Sequence, residues 1–404
     1  MKQKPGTHLS VPARFNNLYF WIYCMVAIGG MYLNLSFRRR GLSGVEIGAI
    51  GAVISITSVV ITPLLGIRFD SAANRPAFMS VLFLLAGAFF SALGLNLPFF
   101  ILLILAAAMS ACWSPLVPML DSISFGARIS GTTPRGYGGY RRWGSVGFAA
   151  ASVAVGFAAG RAGLGVMFPA YFACALLLSL LAAGIPSDAA PAPKARLGTD
   201  SIKALLKHEN LGMFLAFYVF NSVGSSACWS FRSIYLDSVG VPEHHIGLLA
   251  ILPILAEVII FTLGNRILSR WGTGALISTG ALMSASRWWL MSSTDRIPLL
   301  YLVEILAGSG WALFFTGAIA LVQNEVPQSQ RGTAQILFFN SAGGVGAATG
   351  AYLGGWIFDH LGVVSVLRIG SAVSAAAVAF QFLFVRETAR YRAGALPPPP
   401  ETPA

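Results

Sequence analysis

Long apolar stretches alternate with short polar ones along the whole chain. The apolar runs lie at about 15–36, 45–67, 76–95, 98–125, 138–160, 164–184, 211–236, 245–267, 273–293, 298–324, 332–357 and 363–385. Each is close to the roughly 17–25 residues that cross a bilayer as a helix. Backbone polar groups in lipid must be satisfied within their own segment, so each run predicts an α-helix.

The two halves of this pattern resemble each other. Ile47-Gly48 recurs as Ile246-Gly247, Gly144 and Gly147 as Gly343 and Gly346, and Gly156 as Gly355, each 199 residues on. Gly66 and Gly264, 198 apart, each end the second helix of their half. A nearly constant offset across three helices points to a duplicated six-helix unit. The expected fold is an all-α membrane protein with twelve transmembrane helices in two pseudo-symmetric six-helix bundles. The expected divisions are residues 1–185 for the first bundle, 186–210 for a linker, 211–388 for the second bundle and 389–404 for a disordered Pro-rich tail.

Composition agrees with this pattern and removes alternatives. The chain has 404 residues, 56% hydrophobic and 10% charged, with mean hydropathy +0.71. Soluble domains carry about 25% charged residues, so a soluble core is excluded. The net charge of +12 is no sign of nucleic-acid binding, because the basic residues concentrate in loops on one side. With both termini cytoplasmic, 19 of the Lys and Arg fall inside and 8 outside, as the positive-inside bias requires. Arg38, Arg39 and Arg40 run against it and read as a solvated loop cap, or as a vestibule that draws in anions. Cys24, Cys112, Cys174 and Cys228 lie inside apolar runs without metal-ligand spacing, so neither a disulfide framework nor a metal is expected. No Gly-x4-Gly-Lys-Ser/Thr loop is present, which excludes ATP drive of that kind. No Ser/His/Asp or metal constellation points to an enzyme, and no cofactor is expected.

The remaining chemistry lies in ionisable residues within the apolar runs, where a charge costs about 2.5–3.5 kcal/mol at the centre and is commonly functional. Asp121 and Arg141 lie level near the inner end of adjacent spans, and Arg287 and Glu304 lie level nearer the outer end. Glu257 sits near the middle of its span without a sequence-local partner and is a candidate proton carrier. Trp143 and Trp288 neighbour the candidate arginines and could stack on a substrate. Arg232 and Asp237, near an outer helix end, read as interfacial side chains that snorkel.

Specific motifs carry a family resemblance. After the second span the chain reads Gly66-Ile67-Arg68-Phe69-Asp70-Ser71-Ala72-Ala73-Asn74-Arg75. This is similar to the signature of the major facilitator superfamily, with Gly66, Asp70 and Arg75 matching and Ser71 and Asn74 departing from it. Tyr137-Gly138, Arg141, Trp143-Gly144-Ser145 and Gly147-Phe148, with Asp121 upstream, resemble the lactose permease and phenylpropionate permease group of proton symporters. Met283-Ser284 with Arg287, and Glu257, resemble its second half. Ala307 and Gly310 stand where lactose permease has its proton-coupling histidine and glutamate.

The resemblance implies substrate binding by Asp121, Arg141 and Arg287, a role for Glu257 and a cytoplasmic gate loop at Gly66, Asp70 and Arg75; the depth and neighbours of the remaining buried residues add Trp143 and Trp288 at the substrate, and Glu304 beside Glu257 for proton coupling. The expected function is proton-coupled import of a small organic solute, an aromatic or short organic acid above all. A sugar or nucleoside symporter and a proton-antiport efflux pump are the alternatives. The expected partners are that solute, protons and the lipid of a bacterial inner membrane, with the chain acting as a monomer.

Overall fold

The computed structural model describes residues 11–129, 137–185, 209–326, 334–335, 338 and 343–384. Its helices are α1 (Val11–Arg39), α2 (Gly44–Ser71), α3 (Arg75–Ala92), α4 (Phe99–Trp113), α5 (Leu116–Ile129), α6 (Tyr137–Ala162), α7 (Met167–Ala183), α8 (Glu209–Ser238), α9 (Glu243–Leu248), α10 (Ile251–Met291), α11 (Ile297–Glu325) and α12 (Gly343–Phe384). Among the described residues, ten stretches are long and apolar enough to span a membrane. Two of them, Glu243–Met291 and Gly343–Phe380, are double. They break at Gly272 (φ 76°) and Gly362 (φ 78°), where only glycine is unstrained. Twelve crossings result. The expected linker falls on 186–208 and the tail on 389–404, both outside the described residues, as are 327–333 at the start of the eleventh run.

Local signals explain the element boundaries. Ser43 caps α2 by accepting from the Glu46 amide (3.2 Å), while the Glu46 carboxylate accepts from the Ser43 amide (2.8 Å). Asn74 caps α3 through the Ala77 amide at 3.0 Å. Gly66 and Gly264, expected as helix ends, lie inside helices; α2 continues to Ser71. The run at 98–125 is broken between α4 and α5, because Pro115 and Pro118 have no amide to continue the ladder.

The chain is apolar outside as well as inside. Ile56, Val60, Leu64 and Ile67 form a stripe along α2 that is 52–65% exposed. Such a stripe on a soluble protein would drive association, whereas in a bilayer it is the lipid face. In α1, by contrast, Tyr19, Ile22, Met25 and Tyr32 are fully buried, because α6, α7 and α8 surround it.

The duplicated unit is visible in the backbone. Gly41 (φ 91°) and Gly240 (φ 79°) turn the chain between the first and second spans of each half. Gly163 (φ 80°) and Gly362 do so between the fifth and sixth. Both pairs are 199 residues apart. The termini-bearing ends of the spans are called the terminal face below, and the opposite ends the distal face.

At the distal face the halves touch through glycines. Gly48 of α2 lies against the Ala351 carbonyl of α12, where a Cβ would stand 2.5 Å from the oxygen. The repeat-related Gly247 of α9 lies equally tightly against Ser152 of α6. Gly44 and Gly355 make the same kind of approach, as do Gly156 and Glu243. Small residues let helix backbones meet closely in a membrane, so this face is closed.

Candidate functional site

Ionisable side chains gather in two places and a third group latches the distal face. The first gathering lies between the halves. Tyr19 of α1 donates to Asp121 of α5 at 2.5 Å and lies 3.1 Å from the Ser124 hydroxyl. One turn along α1, Tyr23 lies under the Arg141 guanidinium, 4.0 Å from ring centre to carbon. Gly144 makes this possible: its missing Cβ is the space that the Tyr23 ring and Arg141 Nη1 fill. The charges of Arg141, Asp121 and Glu257 all reach the Tyr23 hydroxyl, and Arg141 is also the charge that acts on Glu257. Asp121, Arg141 and Glu257 are half-buried. Spans one, four and five thus build one polar cluster, and Glu257 of span eight, in the other half, lies within electrostatic range of it. Glu257, without a partner in sequence, is half-buried and within reach of the Arg141 charge of the other half.

The second gathering is inside the second half. Glu304 of α11 is 1% exposed and lies between two guanidiniums. Arg232 of α8 reaches its Oε1 through Nη2 (2.7 Å) and Nε (2.8 Å). Arg287 of α10 reaches Oε1 at 3.0 Å and Oε2 at 2.9 Å through Nη2. The Arg287 guanidinium stacks on its neighbour Trp288 at 3.9 Å, and Trp288 is 2% exposed. Arg232 is therefore not a snorkelling interfacial residue: at 5% exposure it is buried with a countercharge. Its position six residues before the end of α8 made it look interfacial; the acid that holds it inward comes from a distant part of the sequence.

Trp143 belongs to neither gathering. It is 36% exposed and stands two residues, about 200° around the helix, from Arg141. In the turn between α2 and α3, Arg75 donates to the Asp70 carbonyl at 2.8 Å and lies over the Phe69 ring at 5.7 Å. The Asp70 side chain is exposed and nothing crowds Gly66.

The distal latch joins the halves. Arg39 pairs with Asp237 (2.5 Å) and Glu243 (2.8 Å). Asp359 accepts from the amides of Gly44 (2.6 Å) and Val45 (2.8 Å), capping a helix of the opposite half. The Tyr32 hydroxyl donates to the Glu243 carbonyl at 2.9 Å, and Asn34 to the Ser230 carbonyl at 2.8 Å. Arg38 and Arg40 rest on Phe358 and on the Leu95 carbonyl. Arg39 at least is thus a cross-half tie rather than part of a solvated cap. Among the described residues, the hydrogen bonds and ion pairs between the halves all lie at this face. The chain is closed at this face by contacts from both halves.

Comparison with known proteins agrees with this arrangement. Residues 13–369 match the model of the MFS_1 like family. Maltose permease of Geobacillus stearothermophilus is 26% identical over 351 residues, covering 86% of this chain and 87% of that protein. The probable 3-phenylpropionic acid transporter of Escherichia coli K12 is 27% identical over 218 residues, 51% of this chain and 54% of that one. The crystal structure of the nucleoside transporter NupG superposes with a TM-score of 0.82 at 18% identity, covering 93% of this chain and 99% of that one. These relatives are transporters and not enzymes. Twelve crossings in two related halves, and a family match over most of the length, make this chain a multi-pass membrane transporter that belongs to the MFS_1 like family of the major facilitator superfamily.

Proposed function

We propose that the protein imports a small organic solute together with protons, by alternating access across a bacterial inner membrane with the terminal face cytoplasmic. One observation carries the reading: Arg141 of the first half lies over Tyr23 beside the Tyr19–Asp121 pair, and Glu257 of the second half is half-buried within electrostatic range of that arginine. A site split between two halves changes shape when they rock, and this is what couples binding to movement. Glu257 carries the proton. Neutralising it releases Arg141 for a substrate carboxylate, and the loaded, charge-compensated carrier then turns. Asp121 and Tyr19 hold the polar end of the solute on the first half. Arg287, Trp288 and Glu304 act on the distal side of the path, and the turn with Gly66, Asp70 and Arg75 braces the cytoplasmic face when it closes. One chain contains the whole path, which supports a monomeric carrier.

An aromatic or short organic acid is the favoured cargo, since Arg141 supplies a bidentate partner for a carboxylate. The probable 3-phenylpropionic acid transporter supports that class. A sugar or nucleoside symporter is the second reading, favoured by maltose permease and NupG. Uptake of 3-phenylpropionate, maltose and uridine into proteoliposomes under an imposed pH gradient separates them. The expected result is 3-phenylpropionate accumulation abolished by a proton uncoupler. Accumulation insensitive to uncoupler would end the coupling claim, and accumulation of maltose or uridine alone would select the second reading.

A further inference from the structure

The Arg232–Glu304–Arg287 cluster is not electrically closed. One carboxylate faces two guanidiniums, all at most 6% exposed, so one positive charge is left over in an apolar interior. Two buried donors at the same place also lack an acceptor: Arg287 Nε and, on the ring stacked beneath it, Trp288 Nε1. Buried donors are nearly always satisfied, and a lone buried charge is costlier still. A single anion that accepts from these donors would remove both deficits.

The cluster lies on the path of an entering solute. Arg232 is six residues from the distal end of α8 and Glu304 seven from that of α11, about 10 Å deep at 1.5 Å per residue. Two residues before Arg232, the Ser230 carbonyl accepts from Asn34 of the first half at 2.8 Å, one of the bonds of the distal latch. A solute arriving from the distal side therefore meets this surplus charge as soon as the latch parts.

We infer that Arg232 and Arg287 form an entry receptor for the carboxylate of the transported solute, with Glu304 as the built-in counter-ion that holds both guanidiniums in place when the receptor is empty. This rests on the import reading above and narrows its cargo to anions. Arg232 is then a specificity-determining residue, and the charge count of the cluster sets its affinity.

The test uses the full chain in nanodiscs, titrated with sodium benzoate, with neutral benzyl alcohol and with sodium chloride at matched ionic strength, and read by tryptophan fluorescence. The wild type responds saturably to benzoate and to neither of the others. Arg232→Gln, which leaves the cluster neutral, binds benzoate at least roughly tenfold more weakly, the loss expected for a charge-assisted contact. Glu304→Gln, with an added surplus charge, binds no more weakly than wild type. The double variant R232Q/E304Q regains one surplus charge and recovers binding relative to R232Q. If R232Q does not fold, as judged by size-exclusion chromatography, the double variant must bind more weakly than E304Q. An equal response to benzyl alcohol, an R232Q variant that binds like wild type, or no recovery in the double variant overturns the inference. A chloride response equal to that of benzoate also overturns it, by making this an inorganic-anion site. Proton-driven uptake plays no part in the readout. Failed coupling would leave the receptor standing, and a receptor indifferent to Arg232 would leave coupling untouched.

Discussion

Gly247 of α9 lies so close to Ser152 of α6 that any Cβ would overlap the serine carbonyl. Its repeat mate Gly48 sits in the same way on Ala351, which is the repeat mate of Ser152. The distal seal is thus one contact made twice. Gly247→Val cannot close this seal, and overpacking of about 1–3 kcal/mol shifts the carrier toward a distal-open state by roughly 5–150-fold. A cysteine in place of Ser230, whose carbonyl alone takes part in the latch, reports the change. Its labelling by an impermeant maleimide from the distal side should speed up in that variant, and an unchanged rate would show that the seal lies elsewhere.

The latch residues should rank in a definite order. Arg39 and Asp237 are 41% and 35% exposed, and a pair that wet contributes about 0–1 kcal/mol. Asp359 instead caps two backbone amides, a role in which loss of the side chain costs about 0.5–2 kcal/mol. Asp359→Ala should therefore raise labelling of the Ser230→Cys reporter more than Arg39→Gln does. High salt should erase only the Arg39 effect.

Arg141 depends on its planar shape as well as its charge. Its guanidinium lies over the Tyr23 ring, 4.0 Å from its centre, in the room that Gly144 leaves. Lysine keeps the charge but cannot spread over the ring or bind bidentately. Arg141→Lys should lower kcat/KM for uptake by about tenfold or more, equal to 1.4 kcal/mol or more of transition-state stabilisation. Tyr23→Phe should be milder than Tyr23→Ala, because phenylalanine keeps the ring face under the guanidinium. Equal losses in the two tyrosine variants would contradict this.

Glu257→Gln fixes the carboxyl in its neutral form. Such a carrier should exchange labelled for unlabelled solute at close to the wild-type rate and fail to concentrate it under a pH gradient. Accumulation like that of the wild type would remove Glu257 from the coupling route.

The architecture was readable in the sequence because its signal is repeated. Apolar runs of spanning length state the helices, and the offset of 199 residues states the two halves. Which side chains meet was readable only within neighbouring spans. Arg287 and Glu304 lie at equal depth on consecutive helices, so their pairing can be counted out along the chain. Arg232 meets Glu304 across 72 residues, and Asp359 meets Gly44 across 315; no local rule links such positions. Tyr19 and Tyr23 were hidden for another reason. An aromatic in an apolar run looks like core until the polar groups around it are placed. The break at Ser114–Pro115 was legible in principle, since Pro115 and Pro118 both interrupt the amide ladder, but apolarity alone made the run look continuous.

That break has no counterpart in the second half, where α11 runs unbroken through Leu313 and Phe314, the positions 199 residues on. A rod with two missing rungs is a joint, and it lies seven residues or fewer from Asp121. The two related halves are therefore unlike at this point: one bundle has a flexible joint beside its acid where the other runs on unbroken. The Asp121 carboxylate of α5 can be re-aimed by bending one helix, without swinging six.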